Sequence, residues 1–241
     1  MSSAIQRWIE YGDETLVLHL SFMFDITELP KIPSNVQKLN CSYCKNLKEL
    51  PELPPNLQVL NCSNCDNLKE LPKLPKSLQY LNCSKCSNLE KLPELPPYLV
   101  DLNCSSCPIK ELPELPINLR RLFCTYCFIL PKLSVNLLLL DCSYCPIKEL
   151  PELPSSLQQL YCSNCSIKEL PILPISLKIL DCTSCPVENL PELPPNFQEL
   201  NCYKCSKLKE LPELPINLKI LDCSICPVTQ LPPILPARVS L

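Results

Sequence analysis

Ten Cys-x-x-Cys pairs recur along the chain at a nearly fixed step, and that recurrence limits the possible folds more than any other feature. The pairs begin at Cys41, Cys62, Cys83, Cys104, Cys124, Cys142, Cys162, Cys182, Cys202 and Cys223, giving steps of 21, 21, 21, 20, 18, 20, 20, 20 and 21 residues. A period of this length marks an array in which each repeat buries its apolar face by stacking on the next. One repeat reads Leu57-Gln-Val-Leu60-Asn-Cys62-Ser-Asn-Cys65-Asp-Asn-Leu68-Lys-Glu-Leu71-Pro-Lys-Leu74-Pro. An eleventh repeat lies upstream: Leu18-His-Leu20-Ser-Phe-Met23-Phe-Asp-Ile26-Thr-Glu-Leu29-Pro aligns without gaps. Leu20 and Met23 stand there in place of the cysteines. Leucine and methionine pack well and form no disulfides, so the thiols read as interior filler.

The apolar spacing matches the leucine-rich pattern L-x-x-L-x-L-x-x-N/C-x-L, with the first Cys at the third Leu position and the second where Asn usually stands. Each repeat then supplies a short strand such as 59–63, with Leu60 and Cys62 inward and Val59, Asn61 and Ser63 outward. The expected fold is a β-rich leucine-rich-repeat solenoid with a concave parallel sheet; at about 4.8 Å per strand, eleven strands extend roughly 50 Å. Proline fixes φ and lacks an N–H, so the Leu-Pro-x-Leu-Pro segments predict an extended convex side and no helix there. Ser3 is placed to cap a short helix from Ala4 to Tyr11, with Ile5, Trp8 and Ile9 on one face and Gly12 at its C-terminus. The expected organisation is a capping helix in 1–14, an array of eleven repeats in 15–236, and a frayed tail in 237–241. One repeat is irregular. Cys127 to Leu130 is two residues shorter than Cys145 to Leu150, Ser134 replaces a proline, and Leu137 to Leu140 is a run of four leucines. The convex arc is expected to tighten or distort there.

Composition removes several classes of function. A single glycine among 241 residues leaves no Gly-rich phosphate loop, and 22 basic against 25 acidic residues give no footprint for nucleic acid or an anionic membrane. The apolar run Leu16 to Phe24 is too short to span a bilayer and lacks the flanks of a signal peptide. Five Asn-Cys-Ser sequons, at Asn40, Asn61, Asn82, Asn103 and Asn164, would be glycosylation candidates in a secretory compartment. Twenty cysteines without such a signal read as free thiols in a reducing cytoplasm, which is the host cytosol if the source is a pathogen or virus.

The repeat Leu-Pro-Glu-Leu-Pro-x-x-Leu-x-x-Leu resembles the short leucine-rich repeats of secreted bacterial effectors, including the effector ubiquitin ligases, over residues 15 to 236. The resemblance implies a scaffold that binds host proteins. In that family ligase activity belongs to a separate large domain, and this chain has no remaining length for one. A substrate-recognition part of a ubiquitin-ligase system, working with a separate catalytic protein, is the first alternative.

The second alternative is a Cys-rich metal-binding or redox protein. Zinc sites bring two Cys-x-x-Cys pairs together on one ion, and thioredoxin-like motifs sit in a βαβ setting. Here the first Cys takes an inward strand position and the second a turn position, where its S–H can serve a neighbouring carbonyl. No metal or other cofactor is expected. His19, the only histidine, falls on an outward strand position with no nucleophile to activate, so no enzyme is expected. Lys-Glu pairs such as Lys110-Glu111 and Lys148-Glu149 read as a solvated rim.

Partner recognition is expected on the concave face. Its N-terminal half is a uniform Asn/Ser surface, read as a ladder of side-chain hydrogen bonds between strands. Uniformity breaks at Arg120, Arg121, Phe123 and Tyr126, which face Leu139, Asp141 and Tyr144, then Gln159 and Tyr161. Exposed aromatics and Arg are the types enriched at interface hot spots. The candidate partner-binding set is therefore Arg120, Arg121, Phe123, Tyr126, Asp141, Tyr144 and Tyr161. The partner is a protein, with no nucleic acid and no membrane.

Overall fold

The computed structural model describes residues 17–229 and 238–240. The chain divides into two compact units, Met1–Leu119 and Arg120–Leu241. Unit 1 holds β1 (Val17–His19), β2 (Lys38–Asn40), β3 (Val59–Asn61), β4 (Tyr80–Asn82) and β5 (Asp101–Asn103). They pair in sequence order, all parallel and in register, with Leu18, Leu39, Leu60, Leu81 and Leu102 aligned. Unit 2 holds β6 (Arg121–Phe123), β7 (Leu139–Asp141), β8 (Gln159–Tyr161), β9 (Ile179–Asp181), β10 (Glu199–Asn201), β11 (Ile220–Asp222) and β12 (Arg238–Ser240). These also pair in order, parallel and in register. No helix occurs among the described residues. Both units are stretches of parallel-sheet solenoid.

Each coil is built by the same local rules. The middle residue of the strand points inward and is a fully buried leucine in β3, β5 and β6 to β10. The first Cys follows, also buried, and then the chain turns sharply before the second. That turn is made by a residue in the left-handed region. Among the described residues eleven non-glycine residues occupy it: Phe22, Tyr43, Asn64, Lys85, Ser106, Tyr126, Tyr144, Asn164, Ser184, Lys204 and Ile225, with φ between 56° and 67°. Backbone N–H groups continue the parallel ladder through it, as in Asn64 N donating to Ser84 O at 2.8 Å. The return arm is extended. At its end a tight turn is closed by Leu57 N donating to Pro54 O at 3.1 Å, a bond repeated by Leu78 to Pro75 and Leu157 to Pro154. The missing proline N–H costs nothing there, because the proline enters the bond as acceptor.

A left-handed conformation is costliest for a β-branched side chain, and Ile225 at φ 64° is the one such residue in the column. Ile225→Gly is expected to raise stability by about 1 kcal/mol, since relief of the clash outweighs glycine's larger unfolded-state entropy. Asn64→Gly serves as the near-neutral control, because Asn tolerates this region. A urea midpoint for Ile225→Gly at or below that of the parent chain would contradict the strain assignment.

The capping helix expected at 4–11 lies outside the described residues. Other expectations need correction. The tail expected to fray contains β12 instead: Val239 pairs with Leu221, and Cys223 N donates to Ser240 O at 2.9 Å. The edge of a parallel sheet leaves backbone groups unpaired, and an extended segment satisfies them. Ser63, expected to face outward, is only 6% exposed, and Ser42, Ser143 and Ser163 are buried too. Strict alternation holds through the first Cys and fails at the next residue, Ser63, because the left-handed turn at Asn64 follows it directly.

The irregular repeat distorts as expected. Shortening after Cys127 leaves Phe128 and Ile129 exposed at 54% and 58%, whereas Ile147 in the next coil is buried. Leu133 still packs inward, and Leu137 N donates to Ser134 O at 3.1 Å, so serine replaces proline without loss of the closing turn. The strand register is unaffected, with Leu122 opposite Leu140.

Candidate functional site

The thiols line the interior. Nineteen of the twenty are buried and Cys226 is half-buried, and none is in a disulfide. In eight of the pairs the second Cys donates to the carbonyl of the first Cys one coil earlier. Cys65 Sγ meets Cys41 O at 3.2 Å, Cys86 meets Cys62 O at 3.2 Å, Cys165 meets Cys142 O at 3.3 Å and Cys185 meets Cys162 O at 3.1 Å. In the repeat without a pair, Leu20 O accepts from Cys44 Sγ at 3.1 Å, so the aliphatic residue keeps the ladder intact. Among the described residues no group of three or more His, Cys, Asp or Glu is arranged to hold a metal ion. Burial pushes the Cys44 thiol up to about 11, and burial with the neighbouring Cys127 and Cys165 pushes Cys145 up to about 12. These thiols are protonated at neutral pH, the less nucleophilic form.

Outward from the thiols lies a column formed by the third strand residue. In unit 1 it reads His19, Asn40, Asn61, Asn82 and Asn103. In unit 2 it reads Phe123, Asp141, Tyr161, Asp181, Asn201, Asp222 and Ser240. Where the residue is Asn or Asp, its Oδ1 accepts from the N–H two residues on. Asn61 Oδ1 accepts from Ser63 N at 3.1 Å, Asp141 from Ser143 N at 3.1 Å, Asp181 from Thr183 N at 2.9 Å and Asp222 from Ser224 N at 3.0 Å. These bonds lie within one coil and correct the expectation of a ladder between strands. A two-residue Asx-turn closes a far smaller loop than a partner on another strand. Cross-strand bonds occur at Asp181, which also accepts from Ser163 Oγ at 2.7 Å and from Asn201 Nδ2 at 3.4 Å.

Phe123 and Tyr161 break this column. Neither can supply the Asx acceptor; the Tyr161 hydroxyl instead donates to Gln159 Oε1 at 3.4 Å. The register places Phe123, Asp141 and Tyr161 side by side on three successive strands. Burial, with the carboxylates of Glu199, Asp181 and Asp141, pushes the Tyr161 phenol above its ordinary range. Tyr126 and Tyr144 are not in that row. They occupy the left-handed turn, where their rings stack at 4.9 Å with an interplanar angle of 10° and are 51% and 49% exposed. Arg121 heads the other outward column, beside Leu139 and Gln159, and Arg120 is exposed just before the strand. Five of the seven expected residues therefore form two rows, separated by the half-buried Thr125 and the buried Ser143, and Arg120 and Arg121 stand outside both.

The expected set left out Asp181 and Glu199, whose carboxylates act on the Tyr161 phenol, although counting the column at strand register finds Asp181. It also missed a second aromatic group in unit 1. Phe22 stacks on Tyr43 at 4.7 Å and meets Phe24 edge-on at 6.3 Å. The signal is present in the spacing, since Phe22 and Tyr43 hold the same repeat position as Tyr126 and Tyr144.

Comparison with solved structures agrees with this geometry. YopM from Yersinia enterocolitica superposes with a TM-score of 0.83 at 36% identity, covering 89% of this chain and 48% of that one. YopM from Yersinia pestis, a leucine-rich effector protein, gives 0.84 at 33% identity, covering 93% and 64%. This is a leucine-rich-repeat protein of the short LPX type. It spans about half to two thirds of the two YopM chains. The functional domain of InlJ from Listeria monocytogenes, which includes a cysteine ladder, gives 0.52 at 25% identity, covering 83% of this chain and 41% of that one. No protein-family model matches the sequence, and no curated protein matches it.

The leucine-rich-repeat coils of unit 2 also carry clefts on the proline side. One of about 680 Å³ is lined by Lys148, Glu149, Lys168 and Glu169, and one of about 900 Å³ by Val135, Pro151, Leu153 and Ile172. Both are open grooves between successive return arms, away from the two aromatic rows. Among the described residues no helix is long and apolar enough to cross a membrane.

Proposed function

We propose that this protein is a binding scaffold and not an enzyme, and that it holds a protein partner on the strand face of unit 2 through Arg120, Arg121, Phe123, Tyr126, Asp141, Tyr144 and Tyr161. The observation that carries the reading is the replacement of a turn-closing Asn or Asp by an aromatic at Phe123 and Tyr161. Each replacement gives up the Asx hydrogen bond, worth about 1 kcal/mol, and puts a ring on the strand face in its place. Aromatic area beside charged groups is what a recognition surface needs. A rigid repeat array presents it preorganised, so little ordering entropy opposes binding. The likeness to a leucine-rich effector supports a partner in a host cell and action in the host cytosol. The sole histidine, His19, sits on an exposed strand position beside Asn40, which suits binding better than catalysis.

The test separates structure from recognition. Phe123→Asn and Tyr161→Asn restore the Asx acceptor and remove the ring. Each is expected to raise the unfolding free energy by about 1 kcal/mol, read from urea midpoints. Both are expected to abolish capture of a partner first isolated from cytosolic extract with the parent chain. Undiminished capture by the double variant would refute this face as the binding site.

A further inference from the structure

The column Phe123, Asp141, Tyr161, Asp181, Asn201, Asp222 runs in unbroken register across six strands of unit 2. We propose that this face receives an extended basic peptide laid across the strands, with Lys or Arg side chains seated at Asp141, Asp181 and Asp222 and its backbone passing over Phe123 and Tyr161. The inference deepens the recognition reading above and rests on it.

Spacing is the first support. The three aspartates stand on alternate strands, so at about 4.8 Å per strand they repeat every ~9.6 Å. A polyproline-type chain rises about 3.1 Å per residue with three residues per turn, so every third side chain returns to one side after ~9.3 Å. A flat β-strand peptide repeats its side chains every ~6.8 Å and falls out of step within one interval. The two rings suit the same guest, since polyproline-type segments dock on aromatic-lined surfaces and ring faces attract cations.

Charge complementarity is the second support. Glu199 adds a fourth carboxylate in the neighbouring column. Among the described residues no ion pair is seen between Lys or Arg and Asp141, Asp181, Asp222 or Glu199; an ion pair of this unit joins Lys207 to Glu188, elsewhere. The nearest lysines along the chain are engaged otherwise, Lys178 Nζ with Gln158 Oε1 at 3.4 Å and Lys219 Nζ with Gln198 Oε1 at 3.0 Å. The fields of these carboxylates add along the third-residue column and favour a cationic guest there, with the exposed Arg121 standing in the neighbouring column at its β6 end.

The experiment uses the whole chain in reducing buffer and fluorescence anisotropy with three labelled peptides. One carries about five Arg-Pro-Pro triplets. The second replaces each Arg by Glu. The third has the composition of the first with its arginines in one block. The control variant is Asp141→Asn/Asp181→Asn/Asp222→Asn, which removes charge while keeping the turn acceptor, as Asn61 and Asn201 show. The triplet peptide is expected to bind about tenfold tighter than either other peptide, to weaken with added salt, and to lose about tenfold against the triple variant. Equal binding of all three peptides, or equal binding by parent and variant, overturns the proposal. Capture of the isolated partner distinguishes the two readings. A triple variant that still captures it, while Phe123→Asn/Tyr161→Asn does not, sinks the basic-peptide inference alone.

Discussion

Leu160→Ala is expected to destabilise the protein by about 3–4 kcal/mol, the largest effect of any single substitution considered. Leu160 is the fully buried centre of β8, with Leu140 and Leu180 in register on either side. Truncation removes apolar contact with both neighbours and leaves a cavity that rigid flanking coils cannot collapse. Stability in such arrays is close to a sum of nearest-neighbour terms, so a central coil loses two interfaces. Val239→Ala in β12 offers the contrast: Val239 is half-buried and its strand pairs with β11, so a loss below about 1 kcal/mol is expected. Urea unfolding of the two variants measures the difference. Equal losses would show that unit 2 does not derive its stability from stacked strand centres.

Alkaline pH is expected to produce the second large effect. Cys44 and Cys145 are raised to about 11 and 12, and hydrogen bonds donated to neighbouring thiols, with burial, hold Cys41, Cys83, Cys142, Cys162 and Cys182 well above the usual range. Cys65, Cys107, Cys185 and Cys205 move downward, each because a neighbouring thiol donates to it. Each such pair nevertheless keeps one proton where two unfolded cysteines, with ordinary values near 9, have released both. Folded pKa values above unfolded ones mean stability that is complete below about pH 9 and is lost as pH rises towards 11 to 12. Every tenfold change in proton affinity is worth about 1.4 kcal/mol, so the loss over that window should reach several kcal/mol. The urea midpoint in reducing buffer is expected to fall steeply from about pH 9 to about 11. Cys41→Leu with Cys44→Met, the solution already present at Leu20 and Met23, should flatten that fall. A midpoint independent of pH would show that the thiols are hydrated in the folded state.

Much of the framework is legible because a two-residue alternation and a fixed period can be read from spacing alone. Leu60 and Cys62 are inward, and the second Cys serves a carbonyl, as their positions require. Legibility fails at the two residues between the cysteines. Nothing in a Ser-Asn pair announces that Asn64 turns left-handed, and that turn buries Ser63 and lifts Tyr126 and Tyr144 into a row of their own. The Asx-turns escape a reading of the sequence for a related reason: Asn and Ser side by side suit both a cross-strand ladder and a local turn, and the shorter loop prevails. In the candidate site the aromatics are visible as breaks in a pattern. Asp181 is not, because it breaks nothing in its own repeat.

The left-handed column separates backbone duty from side-chain identity. Phe, Tyr, Asn, Lys, Ser and Ile all occupy it with nearly the same φ. Most of the penalty arises at the Cβ that all these residues share, so beyond it, β-branched Ile225 aside, the projecting group can change its chemistry without disturbing the interior. That makes the sharpest bend of each coil its most permissive site for diversification, a place where successive duplications can acquire new surface while the stacked core stays constant.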